Sequence, residues 1–129
     1  MKGKTNFELE YVLKTSPKVL NNVLFTPDGL SDWFCSDVNI KDDIYAFDWD
    51  GYIEEARLIS AKPGQYIKWQ WIEDEEDGHD TYFGFSYSTD PITKAVILKV
   101  SGSADIEEEE EAKALWEQHV NDLRRLIGA

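Results

Sequence analysis

Between residues 44 and 101 the chain runs through five short segments of alternating apolar and polar residues, and every link between them is too short for a crossover. Ile44 to Trp49 turns at Asp50-Gly51, a dipeptide suited to the positive φ of a tight hairpin. Tyr52 to Ala61 ends at Lys62-Pro63-Gly64-Gln65. Tyr66 to Ile72 sets Ile67, Trp69 and Trp71 on one face against Lys68 and Gln70 on the other. The polar stretch Glu73 to Asp80, with a second Asp-Gly pair at Asp77-Gly78, leads to Thr81 to Ser88, which brings Phe83, Phe85 and Tyr87 together. Asp90-Pro91 then opens the last segment, Ala95 to Ser101. Parallel neighbours need a dozen or more connecting residues, so these strands must form an antiparallel meander.

Such a sheet has one apolar face that another element must cover. The sequence supplies a long cover at its C-terminal end. Ala112, Leu115, Trp116, His119, Val120, Leu123, Leu126 and Ile127 recur at i, i+3, i+4 and i+7, the stripe of an amphipathic helix. Asp105 and Glu108 have capping-box spacing, Glu107 to Glu111 suit the positive end of the helix dipole, and Gly128 ends the pattern. Ahead of the meander, Phe7, Leu9, Tyr11 and Leu13 alternate with charged residues as a first strand. Ser16-Pro17 and Thr26-Pro27 then start two short helices between residues 17 and 35. The order is β-α-α-β-β-β-β-β-α: an α+β protein with a curved antiparallel sheet of about six strands wrapped on a long C-terminal helix, one domain over residues 1–129.

Charge narrows the partners. The 26 acidic against 13 basic residues leave a net charge of -13, which repels phosphate backbones and anionic lipid, so neither nucleic acid nor a membrane surface is expected as a partner. Cys35 is the lone cysteine, which excludes an intrachain disulfide. The start Met1-Lys2-Gly3-Lys4-Thr5-Asn6 is polar, and no apolar run reaches spanning length, so the expected setting is cytoplasmic without integral membrane association.

The first strand running into Ser16-Pro17, the segment Leu30-Ser31-Asp32-Trp33-Phe34, the strand carrying Trp69 and Trp71, and the closing helix with Trp116 together resemble the START-like (helix-grip, SRPBCC) superfamily. Within it the chain is most similar to small bacterial proteins resembling the C-terminal domain of the heat-shock-protein-90 ATPase activator. The resemblance spans nearly the whole chain, with one departure: Asp48-Trp49-Asp50 stands where many relatives have a glycine-rich second strand. It implies a cavity between sheet and long helix that takes apolar or aromatic small molecules. It also implies that members divide between catalysis of cyclisation or hydrolysis and binding of lipids or protein partners.

The candidate ligand-binding set is Trp49, Trp69, Trp71, Phe83, Phe85 and Trp116, rings expected to project toward one another from sheet and helix, with His119 on the same helical face. The alternation of Tyr52, Glu54, Ala56 and Leu58 against Ile53, Glu55, Arg57 and Ile59 leaves open whether Glu55 and Arg57 face the cavity or solvent. The acidic stretch Glu73 to Asp80 lacks the register of a calcium loop and reads as a flexible charged hairpin tip. No nucleophile triad, phosphate loop, Cys-x-x-Cys or paired-histidine metal motif occurs, so no catalytic residue, metal ligand or cofactor is expected. The leading expectation is a binding module for a small hydrophobic or aromatic ligand. The alternatives are a protein-interaction domain, either a homodimer or chaperone-associated, and an enzyme with an acid-base site built around His119.

Overall fold

A computed structural model describes residues 3–129; Met1 and Lys2, part of the polar start, lie outside the described residues. Seven strands form one antiparallel sheet in the order β1-β7-β6-β5-β4-β3-β2. They are β1 (Lys4–Leu13), β2 (Asp37–Lys41), β3 (Ile44–Trp49), β4 (Tyr52–Lys62), β5 (Tyr66–Trp71), β6 (Phe83–Thr89) and β7 (Val96–Asp105). Each strand from β2 to β7 pairs with its neighbour in sequence, as short links require, and β1 closes the far edge by pairing with β7 from Lys4↔Asp105 to Leu13↔Val96. The sheet therefore has one strand more than the six or so expected. The extra one is β2, an edge strand on which only Val38 is buried.

Since β1 and β2 occupy opposite edges, the chain between them must cross the sheet. It does so as α1 (Pro17–Phe25) and α2 (Pro27–Trp33), laid over the concave face. Ser16 and Thr26 cap them as expected, accepting from the Val19 and Gly29 backbone N–H groups, with proline at each helix start. Leu20, Leu24 and Leu30 go fully inside, and the indole N–H of Trp33 donates to the Val23 carbonyl at 2.9 Å, locking the two helices together. A bulge at Leu58/Ser60 interrupts the β4–β5 register and adds bend to the sheet.

The chain leaves β7 through a 3-10 turn, Ile106–Glu108, into α4 (Glu109–Ile127). Asp105 makes no side-chain cap bond: it is still paired within the sheet, and its carboxylate lies 4.0 Å from the Lys4 ammonium. The α4 stripe divides. Val120 and Leu123 are buried in the core, whereas Leu115 and Leu126 remain exposed. Covering the sheet is thus shared between α4 and the α1–α2 pair, and does not fall to α4 alone.

The acidic stretch after β5 is not a flexible tip. Ile72–Glu76 is a short helix, α3, and Asp74 is only 4% exposed. Its carboxylate accepts from Lys4 Nζ at 2.7 Å and from Thr81 Oγ1 at 2.9 Å, which ties the stretch to β1. No helix among the described residues is long and apolar enough to cross a membrane.

Candidate functional site

At one end of the concave face the packing opens into a cleft of about 370 Å³ between sheet and α4. Antiparallel pairing explains why its walls gather there. Trp49 ends β3, Tyr52 and Glu54 begin β4, Trp71 ends β5, Phe83 begins β6 and Ser103 lies near the end of β7, so all of them sit at the same end of the sheet. From above come Ala112, Leu115, Trp116 and His119, positions i, i+3, i+4 and i+7 of the first half of α4, while Phe34 enters from the end of α2. The second half of α4, with Val120 and Leu123, meets solid core. One helix therefore plugs one end of the concavity and roofs the other.

The walls are aromatic and pack on one another. Trp71 stacks on Phe83 at 4.3 Å between ring centres, and Phe34 stacks on Trp116 at 5.3 Å. The imidazole of His119 lies among Phe34, Trp49 and Trp116 at 5.2, 5.9 and 5.7 Å. Gly102 makes the approach of Trp116 feasible: a Cβ there would stand 2.7 Å from the indole nitrogen and 2.7 Å from the Phe7 ring.

Besides the hydroxyls of Tyr52 and Ser103, three polar groups interrupt this apolar lining. Burial pushes the His119 pKa down, partly offset by Asp122, so the ring is held neutral at pH 7. Burial pushes the Glu54 carboxyl up, aided by the negative charges of Glu73 and Asp74 and opposed by the Trp49 indole N–H that faces it. That N–H is itself buried with no partner at hydrogen-bonding geometry; its influence on Glu54 is one of proximity. A buried donor without an acceptor costs free energy unless a bound molecule or water satisfies it.

Of the seven residues singled out from sequence, Trp49, Trp71, Phe83, Trp116 and His119 line the cleft. Trp69 and Phe85 do not: at 0% and 2% exposed they lie in the core, Trp69 against Tyr45 and Phe83, Phe85 against Trp33 and Phe34. Sequence reasoning missed Phe34, Tyr52, Glu54, Ser103, Ala112 and Leu115 as lining. The signal for Glu54 was its parity with Ala56, which is fully buried. Arg57, of the opposite parity, turns to the other face and pairs with Glu75 at 2.7 Å and Asp43 at 3.2 Å. The Cys35 thiol, pushed up to about 12 by burial, is no nucleophile at neutral pH. Among the described residues, no group of three His, Cys, Asp or Glu side chains could hold a metal ion.

Comparison with known proteins places the fold. No curated protein matches the chain. A solution structure from Bacteroides fragilis is similar at 28% identity and a TM-score of 0.66, covering 98% of this chain and 92% of that one. The Aha1 dimer from Colwellia psychrerythraea is similar at 18% identity and a TM-score of 0.78, covering 95% and 96%. A Mesorhizobium loti protein is similar at 14% identity and a TM-score of 0.75, covering 96% and 97%. The family model of the START-like superfamily domain matches residues 1–129. The chain belongs to the START-like superfamily.

Proposed function

We propose that this START-like domain is a binding module that holds a small hydrophobic or aromatic molecule in the cleft under the first half of α4. The observation that carries this reading is the cleft itself: about 370 Å³ walled by stacked rings, with a few convergent polar groups. That volume lies toward the lower end of the roughly 300–1,000 Å³ of small-molecule sites, enough for one or two fused rings. The unsatisfied Trp49 N–H gives such a guest an orienting donor.

Titration with the neutral fluorophore N-phenyl-1-naphthylamine tests the reading. Saturable uptake is expected, weakened by at least about fivefold in Trp71→Ala, which removes a wall ring, and unchanged in Glu76→Ala, which lies outside the cleft. Equal losses in both variants, or no saturable uptake, would remove the cleft as the site.

A second reading, homodimer assembly through the rim, is favoured by Tyr52 and Leu115, which stand 64% and 56% exposed at the cleft mouth, and by the dimeric state of the similar Colwellia psychrerythraea protein. In that case the same titration, repeated at rising protein concentration, shows the fluorophore excluded as the rims meet.

A further inference from the structure

The charge around the cleft restricts its guest further. A second depression of about 530 Å³ shares Glu54, Trp71, Ser103, Ala112 and Leu115 with the cleft, so the two are continuous. Six carboxylates line this extension against a single cation, Lys4. Lys4 is already committed, bonded to Asp74 at 2.7 Å and lying 4.0 Å from Asp105. Among the described residues no ion pair reaches Glu54, Glu73, Glu108 or Glu111.

Resting on the cleft-binding reading, we propose that the natural guest is an organic cation, an amine or quaternary ammonium on an apolar body, with its charge beside Glu54 and its body between Trp71 and Trp116. Three observations converge on this class. Glu54 is half-buried at the junction of cleft and acidic extension, beside other negative charge, and only the neutral Trp49 indole N–H, with no cation, faces it. The ring faces of Trp71, Trp116 and Tyr52 attract a cation through their quadrupoles, most strongly where water is excluded. An anionic guest would meet six carboxylates against the one committed Lys4, and a neutral one would leave the negative charge of Glu54 without a counter-charge. An inorganic cation is not matched either, because among the described residues no set of three ligating side chains converges. An organic ammonium meets both surfaces at once, its charge on the carboxylate and its carbon on the rings.

The test is a matched series on one apolar body: 4-phenylbutylamine (cationic), 4-phenylbutanol (neutral) and 4-phenylbutyrate (anionic). Binding to the full chain is followed through the indole N–H resonances at near-neutral pH. The expected order is amine over alcohol by about tenfold, with butyrate weakest. Glu54→Gln, nearly isosteric and checked for a retained thermal transition, should bring the amine to within about twofold of the alcohol. If amine and alcohol bind equally to the wild-type chain, or if Glu54→Gln leaves the amine's advantage intact, the cation assignment is overturned while the apolar cleft stands. If no member of the series binds, the cleft reading falls with it.

Discussion

Two residues show how chemistry at this site follows from packing. His119 is polar but sits among three aromatic rings, so burial outweighs the pull of Asp122 and favours the neutral imidazole. The sign follows from proton linkage. Below the ordinary histidine pKa of about 6.5 the unfolded chain takes up a proton that the folded chain resists, so stability falls as pH drops through that value and is unaffected above it. His119→Gln should flatten this part of the profile, read as urea midpoints measured between pH 5 and 8; an unchanged acid limb would show that the ring is not desolvated. Gly102 acts through space rather than charge. Its missing Cβ admits Phe7 and Trp116, so Gly102→Ala should cost about 1–3 kcal/mol by overpacking, measured by chemical denaturation, and shift Trp116 fluorescence as the ring moves off the sheet. Neither role was legible in the sequence: a histidine in an apolar stripe and a glycine between two serines gain meaning only from what lies opposite.

At the scale of elements, regular alternation was readable and short irregular pieces were not. The strands bearing Trp49, Trp71 and Phe83 stood out because period-two alternation is a direct imprint of a half-buried sheet. β2 escaped because an edge strand with one buried residue carries almost no pattern. α3 escaped because its helix is held by tertiary bonds from Lys4 and Thr81 to Asp74, not by propensity. The long helix α4 was legible as an element, but neither its start, at Glu109 after a 3-10 turn instead of at a cap on Asp105, nor its division of labour was. Burying Val120 and Leu123 is worth roughly 1.5–3 kcal/mol each, and Trp116 and Ile127 add part of their area. That is comparable with the whole net stability of a domain, about 5–15 kcal/mol. Removal of residues 106–129 should therefore abolish cooperative thermal unfolding even with α1 and α2 in place. A retained sharp transition would mean that those two helices suffice as cover.

For the whole molecule, the meander of short-linked strands and the terminal amphipathic stripe determined an antiparallel sheet gripping a helix. Chain connectivity and side-chain period are local properties that hold wherever the segments finally sit. The net charge of -13 likewise disfavoured polyanionic partners without reference to any contact. Tertiary structure alone decided where the grip is filled and where it is hollow. Seven side chains looked equivalent as linings, yet Trp69 and Phe85 became core while Trp49, Trp71, Phe83, Trp116 and His119 became walls. The cause is the crossing of α1 and α2 over the concave face, required by strands β1 and β2 at opposite edges. The volume those helices occupy fills one end of the concavity and leaves the other, beneath the first half of α4, open beside Glu54.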